Sequence, residues 1–278
     1  MNYSHLLLRY GEIFLKGKNR PFFEKILVQN IKKQSKTLFV TRTQKRLILP
    51  YFVPHEQLRA IFGIVSYSPA VRVEKDIAEI EKQALDLLQG KKGTFKIITK
   101  RADKQFPLSS MELNRKIGMS IEEKSNLVFS AKDPRTIFNI EINNDGAYLF
   151  LETIPCFGGL PVGTGGKVLL LVETKASILA GLSMLRRGCT LFPIAFEDKD
   201  ISLLQRYSPL PLRLEEVKTW PEIESYAKVK NSSVLVVDQR FAAFSSLPTS
   251  LTVFRPLLTW REEEIEESLV NFQQILNR

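Results

Sequence analysis

Lys16, Lys18 and Arg20 alternate around Gly17 in YGEIFLKGKNRPFFEKIL, just ahead of Pro21 and an apolar-periodic segment. Three cations on a glycine turn before a helix N-terminus make a compact phosphate-binding feature. The same residues read equally well as a solvated turn before an ordinary core helix. A second cluster, Lys100, Arg101 and Lys104, sits at a strand-to-helix turn in TKRADKQFPLSSMELNRKIG, with Phe106 close by. Cations beside an aromatic suit a single-stranded or frayed RNA end, through charge and base stacking; the plainer reading makes Phe106 a core residue. Lys132 and Arg135 in AKDPR are subsidiary candidates.

A third stretch, GTGGKVLLLVETKAS, has the strand, turn and helix order of a phosphate cradle. Yet its turn, Glu173-Thr174-Lys175-Ala176, contains no glycine. The glycines before it do not form a P-loop: the residue five before Gly166 is Pro161, Val168 follows Lys167, and the glycines precede the strand. Ile154 to Lys167 therefore reads as a flexible linker with a basic end.

The charge is polarised along the chain. Residues 1–160 hold 26 Lys+Arg against 16 Asp+Glu, and residues 161–278 hold 14 of each. A basic first part attracts polyanions, nucleic acid foremost, although a solubilising lysine-rich face gives the same composition. Two cysteines, Cys156 and Cys189, form no CxxC pair, and His5 and His55 are too few for a histidine metal cluster. No metal site is expected. The apolar runs are short for a bilayer span and the N-terminus lacks the form of a signal peptide, so a cytoplasmic location with no membrane partner is expected.

The elements that must position these residues follow from periodicity. Leu6–Tyr10 predicts a strand, Pro21 opens a helix with Phe23, Ile26, Leu27 and Ile31 on one face, and LFVTR and RLILP predict two strands. A helix from Pro54 to about Ile61 and a strand in FGIVSYSPAVRVE complete a ferredoxin-like order. A second module opens near Asp76, where Asp76 with Glu79 forms a candidate capping box, as does Ser109 with Glu112 ahead of Leu113, Ile117 and Ile121. TFKIITKR, LVFSA, IFNIEIN and AYLFLET are its strands. VLLLV, LFPIAF and VLVVD alternate with helices and predict a parallel α/β sheet. The last helix is expected to be capped by Thr259 and Glu262, burying Ile265, Leu269, Phe272 and Leu276.

Taken together, these stretches resemble the tRNA 4-thiouridine synthetases, the ThiI family. YGEIFLKGKNR resembles its opening motif, FKIITKRADKQFPLSSMELNRKIG its THUMP signature, and GGLPVGTGGKVLLL with VFRPLLTWREEEIEE the entry and final helix of its PP-loop domain. The resemblance implies an α+β ferredoxin-like N-terminal domain (1–74), a THUMP RNA-binding domain (75–160) and an α/β PP-loop-like, Rossmann-like domain with a parallel sheet (161–278). Where the family reads SGGxDS, this chain reads VETKAS. Glu173 puts a carboxylate where phosphate should lie, and Thr174 and Lys175 block the close backbone approach that glycine permits. Ser177 survives and reads as the helix N-cap. The family's later glycine- and glutamine-containing stretch has no match in VLVVDQRFAAFSSLP beyond the strand itself, unless Gln239 is a remnant. Cys189 does not occupy the place of the family's sulfur-relaying cysteine, and a short member without the rhodanese domain that some members carry is expected.

The expectation is a tRNA-binding protein that grips the acceptor 3′ end through Lys16, Lys18, Arg20, Lys100, Arg101, Lys104, Lys132 and Arg135. Its third domain would carry no catalytic residues and a vestigial nucleotide loop, Glu173, Thr174, Lys175 and Ser177. No cofactor is expected, and the third domain would serve as a docking surface for a second copy or a catalytic partner protein. The competing expectation is an active tRNA sulfurtransferase with a rebuilt site for ATP and Mg; a third is a scaffold that binds no RNA.

Overall fold

The computed structural model describes residues 2–43 and 46–275. In chain order it contains β1 (His5–Arg9), α1 (Arg20–Ser35), β2 (Thr41–Arg42), β3 (Leu47–Pro50), β4 (Ser66–Val73), α2 (Ile77–Leu88) and β5 (Gly93–Arg101). Then come α3 (Ser110–Lys124), β6 (Leu127–Phe129), β7 (Thr136–Asn143), β8 (Gly146–Phe150), β9 (Ile154–Pro155), β10 (Lys167–Leu171), α4 (Lys175–Arg186) and β11 (Thr190–Ala195). The last are α5 (Ser202–Tyr207), β12 (Glu215–Glu216), α6 (Trp220–Lys230), β13 (Val234–Val236), β14 (Thr252–Phe254) and α7 (Glu262–Ile275). The chain compacts into two units. One holds Met1–Leu8, Thr41–Phe52 and Tyr67–Ile154; the other holds Arg9–Val40, Val53–Ser66 and Pro155–Arg278.

The first unit is built on a sheet in the order β2-β3-β1-β4-β8-β7-β5-β6, with β9 pairing β4. The run β4-β1-β3-β2 within it is the ferredoxin-like arrangement. Alternation along the strands divides their side chains between two faces. Phe95 and Ile97 of β5, Phe138, Ile140 and Ile142 of β7, and Leu149 of β8 pack with the apolar stripes of α2 and α3. On the opposite face Leu7, Ile48, Ala70, Tyr148 and Phe150, all on strands, form a smaller cluster. Arg46, after β2, donates from Nε and Nη2 to Glu141 of β7 at 2.9 and 3.1 Å. The sheet thus curls until its first hairpin reaches β7.

Both helices of this unit start where the sequence places them. Ser109 and Glu112 close a reciprocal capping box on α3. On α2 only half of the box forms: the Asp76 carboxylate accepts from the Glu79 N–H, whereas Glu79 turns to accept from the Glu74 N–H. The expected helix after Pro54 is a short 3₁₀ turn, His55–Ala60.

The second unit carries a parallel five-stranded sheet, β12-β11-β10-β13-β14. After Lys167 its central strand is apolar, because both faces are covered. Val168 and Leu170 enter the core shared with α4, α5 and α7, whereas Leu169 and Leu171 enter the one shared with α6. The segment 154–167 is not the flexible linker its composition implied. The Gly188 carbonyl accepts N–H bonds from Gly163, Thr164 and Gly165 at 2.8, 3.0 and 2.8 Å, and Arg186 O accepts from Leu160 at 2.9 Å. The glycines let this backbone lie against the C-terminal end of α4, satisfying carbonyls that the helix leaves open. α7 begins at Glu262 with the Arg261 N–H bonded to Glu264 Oε2 at 2.8 Å, so Thr259 is not its cap. Ile265 and Phe272 are buried and Leu269 is partly so; Leu276 lies outside the described residues. Among the described residues no helix is long and apolar enough to cross a membrane.

Candidate functional site

The basic residues named from the sequence do not play equal parts. In the second unit, Lys16 and Lys18 lie on a 3₁₀ stretch, Glu12–Asn19, kinked at Gly17. Lys18 is exposed, and Lys16 is half-buried with its Nζ 5.1 Å from the Phe23 ring centroid. Arg20 is held by its neighbours: Nε donates to Glu24 Oε1 at 2.7 Å and Nη2 to the Tyr10 hydroxyl at 2.9 Å. Its guanidinium also lies 4.6 Å from the Phe14 ring, which stacks on Tyr10. Burial, then the hydrogen bond to Glu24, push the Tyr10 phenol up to about 12. Arg20 is thereby the centre of a polar knot that fixes the turn.

In the first unit, Lys100 and Lys104 are exposed. Arg101 instead donates to the carbonyls of Phe106 and Leu108 at 2.9 and 2.8 Å, tying down the turn before α3. Beside it, the Lys75 ammonium and the Gln105 N–H hold the Asp103 carboxyl below its ordinary range. Phe106 is 5% exposed and belongs to the helix-side core, so it offers no stacking platform. Lys132 and Arg135 are exposed, but the register pairs Phe95 with Thr136 and Arg101 with Ile142. They therefore lie at the opposite end of β5 from Lys100, about 20 Å away at the rise of a strand. Lys100 and Lys104 thus lie on and just after the last turn-ward residues of β5, and Lys132 and Arg135 lie toward its other end.

The glycine-free loop follows β10, the switch point of the parallel sheet, where such folds bind ligands outside the strand ends. Ser177 is fully buried at the third residue of α4, and Thr174, not Ser177, is the N-cap. Ser177 Oγ accepts from the backbone of Glu173 and Thr174, at 3.0 and 3.1 Å. Both hydroxyls then donate to one carboxylate oxygen of Asp238, Thr174 at 2.6 Å and Ser177 at 2.7 Å. Asp238 follows β13, the strand beside β10, and sequence reasoning passed over it in favour of Gln239. Its signal was there: a lone acid directly after an apolar strand, VLVVD. Gln239 accepts from Arg255 Nε at 2.9 Å and donates to Ser245, a local contact.

Asp238 places an internal carboxylate at the N-terminal end of α4, where the helix dipole and the capping geometry favour an anion. Burial, then the Asp238 charge, raise the Glu173 carboxyl above its usual value. A cleft of about 380 Å³ adjoins the loop, lined by Glu173, Lys175, Lys199, Asp200 and Gln273 among others. Lys199 pairs with Glu197. The loop thus presents the Glu173 and Asp238 carboxylates, and side chains on Thr174 and Lys175, where the resemblance would place glycines. Among the described residues no group of three His, Cys, Asp or Glu is placed to hold a metal ion.

Comparison with known proteins bears on this arrangement. The ThiI ferredoxin-like domain matches residues 5–68, and the THUMP domain matches residues 74–152. A "Probable tRNA sulfurtransferase" of Staphylococcus aureus (strain MRSA252) is 32% identical, the match covering 95% of this chain and 80% of that protein. The chain belongs to the ThiI family. A member from Brevibacillus brevis, with the same name, is 40% identical over 209 residues, which are 70% of this chain and 52% of the relative. In such matches the chain spans about half the length of its relatives. The S. aureus match extends over 324 residues, more than the 278 of this chain, so that ThiI relative carries internal stretches absent here.

Two solved structures share the fold. The crystal structure of PH1313 from Pyrococcus horikoshii has a TM-score of 0.84 and 26% identity, covering 97% of this chain and 99% of that one. A 4-thiouridine synthetase–RNA complex with bound ATP has a TM-score of 0.83 and 25% identity, covering 99% of this chain and 86% of that one. The ferredoxin-like, THUMP and parallel α/β architecture expected for the ThiI family is therefore the one this chain adopts.

Proposed function

We propose that this ThiI-family chain binds tRNA, gripping its acceptor 3′ end, and carries out no ATP-dependent chemistry of its own. The observation that carries the second half is the Asp238 carboxylate, already bonded to Thr174 and Ser177 where a nucleotide phosphate would have to lie. The first half is supported by the THUMP match, by exposed Lys18, Lys100 and Lys104 on a basic first part, and by the RNA in the complex of similar fold. Uridine thiolation then belongs to a catalytic partner protein, and this chain contributes recognition.

The test has two arms. Binding of a tRNA transcript is measured for the wild type and for Lys100→Glu with Lys104→Glu, exposed positions whose change leaves the Arg101 tie intact. The double variant is expected to weaken binding by about tenfold or more; unchanged affinity would remove the RNA interface from this surface. Equilibrium binding of ATP with Mg is then measured with the tRNA saturating. Absence of binding at millimolar ATP is expected. Binding that Lys175→Ala abolishes would restore the reading of an active sulfurtransferase with a rebuilt site.

A further inference from the structure

The cleft of about 380 Å³ beside the glycine-free loop has an apolar floor and a charged mouth. Val172 is buried beneath it, and Ile178, Leu203 and Leu269 are partly buried around it, all in one apolar cluster. Four charged side chains line the same cleft. Two of them are engaged: Lys199 pairs with Glu197, and Asp200 accepts from the N–H and the hydroxyl of Ser202 at 2.8 and 3.1 Å. The other two, Glu173 and Lys175, make no side-chain hydrogen bond or ion pair among the described residues, even with each other. They stand on either side of Thr174, with Cα atoms at most about 7 Å apart. No cation offsets the burial of Glu173 and the charge of Asp238, which together raise its carboxyl although Lys199 opposes them.

This combination narrows the ligand. A fatty acid or a phosphate suits Lys175 but is repelled by Glu173 and Asp238. An alkyl amine meets Glu173 and leaves Lys175 with nothing to bind. A metal ion finds no set of three ligands among the described residues. A molecule that carries an ammonium and a carboxylate on one carbon, with an apolar side chain, satisfies every part of the cleft. Its ammonium donates to Glu173, its carboxylate accepts from Lys175, and its side chain covers the floor. The cleft lies beyond the carboxyl end of β10, where parallel sheets take their ligands, and its volume is that of a small-ligand site.

We infer that this cleft binds a free apolar α-amino acid. The inference goes beyond tRNA binding and does not depend on it. The test titrates the full chain by calorimetry with leucine, methionine and phenylalanine, and with glycine, which lacks the side chain. N-acetyl-leucine and leucinamide, each lacking one charge, complete the series. At least one apolar amino acid is expected to bind with a Kd between about 1 μM and 1 mM, and glycine and the two blocked forms about tenfold or more weakly. Glu173→Gln and Lys175→Ala are each expected to cost about tenfold. Both positions are exposed, and a melting curve of each variant shows that its fold is retained. No heat from any apolar amino acid at millimolar concentration would overturn the inference. So would blocked forms that bind as well as leucine, or an affinity unchanged in both variants. Displacement of bound leucine by ATP with Mg would assign the cleft to a nucleotide and overturn it too. Failure of the chain to bind a tRNA transcript would remove the tRNA reading and leave each of these readouts as it stands.

Discussion

Glu173 and Arg20 show how much one side chain's surroundings decide. The Glu173 carboxyl is raised by burial and by Asp238, so the folded protein binds a proton more readily there than the unfolded chain does. Stability therefore falls as pH rises from the ordinary carboxylate value through the raised one. Glu173→Gln is expected to raise the melting temperature at neutral pH, and the gain should vanish below the ordinary carboxylate range. A gain independent of pH would show that charge is not its cause. Arg20 ties Tyr10 to Glu24, whereas Lys18 is exposed. Arg20→Ala should cost about 1–3 kcal/mol in denaturant unfolding and Lys18→Ala close to nothing. Arg20→Lys should not rescue, since an ammonium cannot reproduce the fork between a carboxylate and a phenol. The sequence showed three cations with one spacing; which of them was already engaged depended on Tyr10 and Glu24, residues whose approach no local pattern records.

At the scale of elements, the glycine-rich run before β10 is decided by backbone approach. A Cβ on Gly159 would stand 2.2 Å from the Arg186 carbonyl oxygen, whereas one on Gly166 would meet nothing within 4 Å. Both have positive φ, 77° and 86°. Gly166→Ala should therefore cost only the left-handed conformation, about 1 kcal/mol. Gly159→Ala must also displace the end of α4, and its melting temperature should fall clearly further. Comparable losses would mean that the backbone gives way at little cost. Periodicity located α2 and α3, and the Ser109–Glu112 box was readable to the residue. The stretch after β11 was not, because α5 has six residues and β12 has two exposed glutamates, too short for either period to register. Glycine composition alone misled in the linker, since glycine serves flexibility and tight packing alike.

For the whole molecule, the governing quantity is the excess of cations confined to residues 1–160. Binding dominated by phosphate contacts releases counterions, so affinity for a tRNA transcript should fall steeply between about 50 and 200 mM salt, with a log–log slope set by the number of phosphates neutralised. The Lys100→Glu, Lys104→Glu double variant should flatten that slope by roughly two. Lys132→Glu with Arg135→Glu, at the far end of β5, measures whether the RNA extends that way; an unaltered slope would confine the contact to the Lys100 end. The order of the three modules was legible in the sequence because each keeps its own element rhythm. The Asp238 lock was not, because it joins the start of α4 at Ser177 to a residue 61 positions further along the chain.

The Gly188 carbonyl, with three N–H groups converging on it, has a consequence for cleavage. A protease needs several residues of extended backbone, and residues 163–165 cannot supply them while their amides are engaged. Native-state digestion should spare this glycine run and cut elsewhere first. A stretch that composition marks as the natural place to divide the chain would then be among the last to open.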